Sequence, residues 1–390
     1  MRVIHVTPVY LPAWEYGGTV RAIHGMTTAL IAQDHDVEVV TTTIGTPYAG
    51  SENNHQATID GVRVTYVPGR VRWGGAVAAC LQDVVRKRMT DKAVVHVSSG
   101  WQPAFRGMFA GLLKSGRPYV YSPHGCFSPE VFAKGRLKKA VYFELFERTN
   151  LRGAAVVVAT SEMEAADLRH LDSTLRVGVV PNVCDASLWM PARSEGLAWR
   201  RNRAIVDEEI VVLQVCRPDP IKNTALLVDA LRCIGAGRKY VLVVMGPGQS
   251  GLPAEKALPP HVRVLHDEGS NQPADLRAAY SAAGVVAVPS FYECFGNVVI
   301  EAALCGAKVL ASPRVGAARL PEAAELVKVL PLEATAWSRA MEEASGDNAE
   351  GGAGQRAALA AAVGSKRIGE LLTDVYTNIS SAKSLVSVSA

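Results

Sequence analysis

Pro289-Ser290-Phe291-Tyr292-Glu293-Cys294-Phe295-Gly296 interrupts one apolar run and leads into a second that carries a single acid, Glu301. The run before it, Ala283 to Val288, is short and rich in valine, which suits a strand buried on both faces. Pro289 ends that strand. Beyond the loop, Asn297 to Leu304 places Val298, Ile300, Ala302 and Leu304 with no strong breaker, and Gly306 stands where a left-handed residue closes a helix. A strand resumes over Lys308 to Ala311. The order is strand, loop, helix, strand, with a glycine-containing loop over the helix N-terminus. Unpaired N–H groups and the helix dipole favour anionic or oxygen-rich ligands at such a place. Glu301 lies about one turn into the helix among apolar neighbours, so its carboxylate is desolvated unless a donor meets it. A structural tie and a ligand contact both fit that position.

The same alternation runs through the chain. In the first half, strands are expected at Val3 to Thr7, Val37 to Thr42, Val94 to Val97, Tyr119 to Ser122, Ala154 to Ala159 and Val177 to Val180. Helices are expected at Thr19 to Gln33, Gly75 to Arg88, Pro103 to Leu113, Leu137 to Arg148 and Glu162 to His170, and Ile59 to Val67 reads as a hairpin-like or edge piece. A polar connection from Asp185 to Arg203 follows. The pattern then restarts, with strands at Ile210 to Val215, Val241 to Met245, Val262 to Leu265, Val285 to Pro289 and Val309 to Ala311, and helices at Thr224 to Ile234, Ala274 to Ala283 and Asn297 to Leu304. Residues 344 to 358 read as a loop before a final helix over Ser365 to Ile379, and the tail from Ser380 has few anchors. This is an α/β chain with two mostly parallel sheets. Its 390 residues exceed one ordinary core and divide as 1–185, 186–364 and a C-terminal helix and tail, 365–390.

Composition narrows the partners. The seven cysteines are odd in number, scattered, and lack the close spacing of a zinc site, which suits a reducing compartment. The start MRVIHVTPVY reads as a first strand rather than a signal peptide, and no apolar run approaches the roughly 20 residues that cross a bilayer. The expectation is a cytoplasmic protein, with association at the inner membrane face left open. Of the net charge of +4, all belongs to residues 1–185, which hold 20 Lys and Arg against 16 Asp and Glu. The densest part is Lys134, Arg136, Lys138 and Lys139, followed by Phe143, Phe146 and Arg148. It reads either as a solvated helix face or as a surface for anionic lipid or a phosphorylated acceptor. No zinc finger, helix-turn-helix or RRM-like pattern accompanies the charges, so nucleic acid is not an expected partner.

Three further junctions carry chemistry. Tyr16-Gly17-Gly18-Thr19 opens a helix after the first strand, but it is neither GxGxxG nor a P-loop. It reads as a turn or as an anion or sugar site. Met245-Gly246-Pro247-Gly248 follows a strong strand and is read as a turn. Arg217 and Lys222 flank Pro218-Asp219-Pro220 just past the strand ending near Cys216. That loop can aim an arginine fork and a lysine point charge into the crevice outside the strand ends, or merely decorate the surface.

Together these residues resemble the retaining glycosyltransferases of the GT-B class called family 4, over nearly the whole chain. Glu293 and Glu301 match the E-x7-E signature within PSFYECFGNVVIEAALCG, and Arg217 and Lys222 match the family's phosphate-binding pair. In the first half the matches are Gly17-Gly18, Pro123-His124-Gly125 and Ala159-Thr160-Ser161-Glu162, and Pro181-Asn182-Val183-Cys184-Asp185 is similar to the usual PNGVD. Cys216, Asn223 and Val183 stand where the family often has glycine.

The resemblance implies a GT-B fold: two Rossmann-like domains facing across a cleft, with the C-terminal helix crossing back to the first domain. It implies a UDP- or GDP-sugar donor and a hydroxyl acceptor, a lipid-linked saccharide among the options. Arg217 and Lys222 would neutralise the diphosphate, and Glu301 would accept from the ribose hydroxyls. Glu293 and the N–H groups of Cys294, Phe295 and Gly296 would hold the sugar, with His124 reaching it from the first domain. Gly17 and Gly18 would let the backbone approach the diphosphate or acceptor. No metal or other cofactor is implied. The segment from SPHG through FSPEVFAKGRLKKAVYFELFERTNLRGA most resembles bacterial members that build surface polysaccharides; a glycolipid or a natural-product glycoside is also compatible. Two other classes compete: a nucleotide-sugar epimerase on the same plan, and a non-enzymatic sugar-binding protein. The E-x7-E context fits the transferase better than the first, and the Arg/Lys pair has no use in the second.

Overall fold

Valine-rich runs form the strands, and helices cover both of their faces. The structure is a computed structural model that describes residues 1–72, 75–90, 93–248, 258–269, 272–344 and 352–386. Two units emerge: Met1–Val183 joined by the segment from Ser365, and Cys184–Gly364.

The first unit contains β1 (Arg2–Val6), β2 (Asp36–Thr42), β3 (His55–Ile59), β4 (Val62–Val67), β5 (Arg70–Arg72), β6 (Gly75–Val77), β7 (Ala93–Ser98), β8 (Tyr119–Ser122), β9 (Val156–Ala159) and β10 (Val177–Val179). Eight of these form one sheet in the order β10-β9-β8-β7-β1-β2-β4-β3. All its pairs are parallel except β3 with β4. That exception is the hairpin-like piece, which begins earlier than expected. Asp60 and Gly61 both have positive φ, 47° and 79°, the type I′ geometry that an Asp-Gly pair serves.

Two expected helices differ. The helix read over Gly75 to Arg88 is shorter, Leu81–Arg88, because Gly75–Val77 pairs with β5 instead. A Cβ on Gly75 would lie 2.7 Å from the Trp101 carbonyl oxygen, so the strand packs where a side chain has no room. The helix read over Leu137 to Arg148 is composite: Arg136–Tyr142, a π-helical turn over Phe143–Glu147, then Arg148–Gly153.

The final helix, Ser365–Val386, belongs to the first unit. Ile368, Leu372, Tyr376 and Ile379 recur every three or four residues, the spacing of one helix face, and are buried against Val3, Met26, Leu30, Val94, Val120 and Val158. Residues 387–390 of the expected tail lie outside the described residues.

The second unit contains β11 (Glu209–Val215), β12 (Lys239–Met245), β13 (Val262–Asp267), β14 (Val285–Val288), β15 (Val309–Ala311) and β16 (Val327–Val329). They form an all-parallel sheet in the order β13-β12-β11-β14-β15-β16. The helix Asn297–Leu304 has the expected bounds, and Gly306 has φ 81°. The connection expected from Asp185 to Arg203 contains a helix, Arg193–Arg201, whose Trp199 is buried beneath the Arg203 guanidinium, 4.1 Å from the ring centre. The loop expected over 344 to 358 is in part a helix, Ala353–Val363. Its alanines have the highest helix propensity, and Leu359 and Val363 anchor it in the core. Residues 345–351 of that expected loop lie outside the described residues.

Gly369 sets how closely the final helix can approach Gly18–Ile31. A Cβ there would lie 2.8 Å from the Ala29 carbonyl oxygen and 2.7 Å from the Gln33 side chain. Alanine normally favours a helix over glycine by about 1 kcal/mol. Here the backbone clash should dominate, and Gly369→Ala should cost about 1 to 3 kcal/mol, the range for overpacking. Urea unfolding measures it; an equal or raised midpoint would show that the helices separate at no cost.

Candidate functional site

In the second unit the strand order reverses between β11 and β14, which leaves a crevice beyond their C-terminal ends. Two loops lie there, Cys216 to Asn223 and Pro289 to Gly296, and their backbones are stitched together. The Phe291 N–H donates to the Ile221 carbonyl at 2.8 Å, and Asn223 Nδ2 donates to the Pro289 carbonyl at 3.2 Å. Asp219 accepts from the Ile221 N–H at 3.0 Å and caps the short turn Pro220–Lys222. Asn223 has φ 53°. Asparagine is among the few side chains that tolerate this conformation, which explains why it can stand where the resemblance often has glycine.

Lys222 and Glu293 meet as an ion pair, and Ser290 Oγ donates to the same carboxylate oxygen at 2.9 Å. The Glu293 backbone is also fixed: its N–H donates to the Arg314 carbonyl at 2.9 Å, and its carbonyl accepts from Gly316 at 3.0 Å. Arg217 is exposed at the end of β11 and forms no ion pair among the described residues. Gly296, with φ 94°, turns the chain into the helix; a Cβ there would meet Val315 at 2.8 Å. Cys294, Phe295 and Gly296 thus lie at the helix N-terminus, as expected. Glu301 is buried, and the Tyr280 hydroxyl donates to it at 2.9 Å. The isolated acid therefore has the donor that its burial demands, and this contact ties it to the neighbouring helix.

The first unit reverses its strand order between β1 and β7. Gly17 has φ 65° and precedes the helix that Gly18 begins, so the glycine pair is a required turn. His24, nearly two turns on, is occupied by the Tyr10 hydroxyl at 2.8 Å and by Asp60 at 2.9 Å. Met245-Gly246-Pro247-Gly248, in the second unit, turns the chain, with the Gly246 N–H on the Asp267 carbonyl at 2.8 Å.

His124 follows β8 with φ 52°, and Ser99 and Trp101 follow β7 with φ 78° and 62°. Three non-glycine residues in this sparsely populated region, at adjacent strand ends, mark a segment held against local strain. Buried carboxylates hold it. Glu164 accepts from the N–H of Gly125 and from the N–H and hydroxyl of Thr160, both at 2.7 Å. Glu147 accepts from the Trp101 N–H at 2.8 Å and the Tyr121 hydroxyl at 2.9 Å. Burial raises both carboxyls above their ordinary range.

Behind His124 lies a polar relay that the motif reading missed. Ser98 Oγ is 3.1 Å from His124 Nε2 and 2.9 Å from His5 Nε2. The His96 ring lies tilted against that of His5, at 4.6 Å between ring centres, and bonds Ser122 and Tyr376, each at 2.7 Å. Burial pushes His5 down to about 3 and His124 down to about 4, and holds His96 well below the ordinary imidazole value. All three are neutral at physiological pH. The Ser98 hydroxyl has one proton, so it donates to one imidazole and accepts from the other. His5 Nδ1 is buried without a partner among the described residues. Placing a proton on it would orphan a buried donor. The favoured arrangement is therefore His5 Nε2–H to Ser98 and Ser98 O–H to His124 Nε2, which puts the His124 proton on Nδ1. The sequence signal was a polar residue inside each apolar strand, His5 in VIHVT and His96 and Ser98 in VVHVS.

Among the described residues no group of three His, Cys, Asp or Glu is arranged to hold a metal ion, and no helix is long and apolar enough to cross a membrane. No disulfide forms among them.

Residues 17–183 match the family model described as Glycosyl transferase 4-like domain, and residues 209–347 match Glycosyl transferases group 1. The D-inositol 3-phosphate glycosyltransferase of Gordonia bronchialis is 34% identical over 173 residues, covering 40% of this chain and 37% of that protein. That of Segniliparus rotundus is 25% identical over 340 residues, covering 80% and 74%. The chain thus spans less than half the length of the first of these relatives. Sucrose-phosphate synthase from Thermosynechococcus elongatus superposes with a TM-score of 0.70 at 20% identity, over 98% of this chain and 100% of that one. HepE of Anabaena, in complex with UDP and glucose, gives the same TM-score and identity over 97% and 99%.

Two outcomes test the relay. Nitrogen-15 spectra should place the His124 proton on Nδ1 and show the ring neutral down to about pH 5, above its value of about 4; an Nε2–H form would overturn the arrangement. Stability should also respond to acid. An unfolded histidine binds a proton near pH 6.5, whereas these do so only near pH 3 to 4. The unfolded state therefore holds more protons in that window, and their contribution, full above about pH 6.5, is lost as pH falls. Glu147 and Glu164, raised by burial, act with the opposite sign. The comparison that isolates the imidazole is the pH slope of His5→Gln against wild type, which should be shallower between about pH 6.5 and 4.

Proposed function

The chain belongs to the family 4 glycosyltransferases of the GT-B fold, and we propose that it is a retaining enzyme acting on a nucleoside-diphosphate sugar. The donor carries UDP or GDP, and the acceptor is a hydroxyl in surface polysaccharide, glycolipid or natural-product glycoside synthesis. The observation that carries this reading is the exposed Arg217 on the same loop as Lys222, whose ion pair with Glu293 joins the two loops at the point where the strand order of the second unit reverses. The UDP and glucose bound to HepE support UDP as the first donor to try.

In this reading Arg217 binds the diphosphate as a fork. Lys222, with phosphate present, exchanges part of its contact with Glu293 for a phosphate oxygen. Ser290 remains as a donor to Glu293, which is freed to hold a sugar hydroxyl together with the N–H groups of Cys294, Phe295 and Gly296. Glu301, held by Tyr280, accepts from ribose. His124 donates from Nδ1 to the transferred sugar, and Gly17 and Gly18 let the backbone approach phosphate or acceptor. The bond from the anomeric carbon to the phosphate oxygen breaks while the acceptor oxygen bonds the same face. The acceptor proton passes to a phosphate oxygen. Negative charge grows on the leaving diphosphate during this step, so the two cations stabilise the transition state more than the ground state. The chemistry uses these side chains and the donor's own phosphate, with no metal or cofactor assigned. Seven cysteines without a disulfide suit a reducing, cytoplasmic setting.

The test is nucleoside-diphosphate release from a panel of UDP- and GDP-sugars. Arg217→Ala and Lys222→Ala should each lower turnover by about 10² or more, roughly 3 kcal/mol of leaving-group stabilisation. Unfolding should remain unchanged for Arg217→Ala because the side chain is exposed. Turnover at the wild-type level would sink the assignment. Glu301→Gln should weaken binding of the free nucleotide by roughly 1.5 to 3 kcal/mol. Calorimetry that finds equal affinity would leave Glu301 as a purely structural partner of Tyr280.

A further inference from the structure

The helical segment Arg136–Glu147 turns its aromatic side inward. Phe143 is buried, and Tyr142 and Phe143 pack around Trp101, with Phe146 against Tyr142. Its outer side carries Leu137, Val141 and Leu145, which are 80%, 53% and 64% exposed. In an α-helix a four-residue step overshoots one turn by about 40°. The wider π turn over Phe143–Glu147 falls short instead, so it brings Leu145 back towards the line of Leu137 and Val141. The result is an apolar ridge that the described residues leave in water.

Exposed Lys134, Arg136 and Lys138 flank this ridge. Arg136 and Lys138 form no ion pair among the described residues. Lys139 is different from the expectation: its Nζ donates to the Val131 carbonyl and lies 5.8 Å from the Trp101 ring centre, so it is a structural cation. Glu144, the exposed acid on the same stretch, is neutralised by Arg148 through two bonds of 2.8 and 2.6 Å. The face is thus apolar along its crest and positive at one end. Three aliphatic side chains are far short of the roughly 800 Å² per partner that a stable protein interface takes. They do suit insertion among lipid headgroups, where cations meet anionic phosphates.

We propose that Leu137, Val141 and Leu145, with Arg136 and Lys138, dock the first unit onto a bilayer surface containing anionic phospholipid. This deepens the transferase reading, because a surface-docked enzyme takes its acceptor from the membrane, as a lipid-borne hydroxyl.

Co-sedimentation of the full chain with phosphatidylcholine–phosphatidylglycerol vesicles, against phosphatidylcholine alone, tests it. Wild type should bind the mixed vesicles at low salt and lose binding as added salt shortens the screening length towards about 3 Å near 1 M. Leu137→Ser with Leu145→Ser should weaken binding by about tenfold or more, and Arg136→Glu with Lys138→Glu should do the same. All four side chains are exposed, so the urea midpoint and the nucleoside-diphosphate release rate should hold. Three results overturn the proposal: no sedimentation of wild type at low salt, serine variants that bind as wild type does, or a dimer that the serine changes abolish with no effect on vesicles. Vesicle binding by a chain that releases no nucleoside diphosphate from any donor would instead sink the transferase reading and leave the docking surface standing.

Discussion

Burial of parallel strands on both faces is the constraint on which both units depend. A parallel neighbour requires a crossover, and crossovers lay helices on both faces of the sheet. When successive crossovers change direction, two adjacent strands send their chains apart. In the first unit this happens at β1 and β7, in the second at β11 and β14. The loops at the second point contain Arg217, Lys222 and Glu293; those beside the first contain His124 and the strained Ser99 and Trp101. Chemistry-bearing side chains collect at these points because the strands below them are rigid and dry.

The price of that dryness is visible in the first unit, where polar groups on apolar strands must find partners. His5, His96, Ser98 and Ser122 do so among themselves and with Tyr376. Glu147 and Glu164 do so with backbone donors, which are the donors of the loops that carry Trp101 and Gly125. Burial and hydrogen bonding thus act on the same residues in opposite senses. Desolvation disfavours charge on each group, while the bonds fix which atom donates, and so which way each loop points.

Strand positions and the loop-helix junction at Glu293 were legible because valine runs, Pro289 and Gly306 mark them locally. The Arg217 and Lys222 loop was legible by its charges. Three features were not. The helix Arg193–Arg201 is mostly polar, and only Gly196 and Trp199 are buried, so periodicity is faint. Ala353–Val363 is rich in small residues, which composition alone reads as a loop. The relay behind His124 joins residues 5, 98 and 124, which come together through sheet register and not through any spacing along the chain. Tyr280 meets Glu301 for the same reason: the partner lies on another helix.

The position of the final helix also affects the order in which the protein can be made. The valines of β1, β7, β8 and β9 that Ile368, Leu372 and Tyr376 cover are synthesised long before those partners. Between them comes the whole of Cys184–Gly364, which at about 5 to 20 residues per second delays the covering helix by about 10 to 35 s. By the end of that interval the second unit has every strand it needs, whereas the first still has an apolar face open to water. On the ribosome the later-made unit is thus the first that can be complete, and the nascent first sheet is the part of this chain with most to gain from a chaperone.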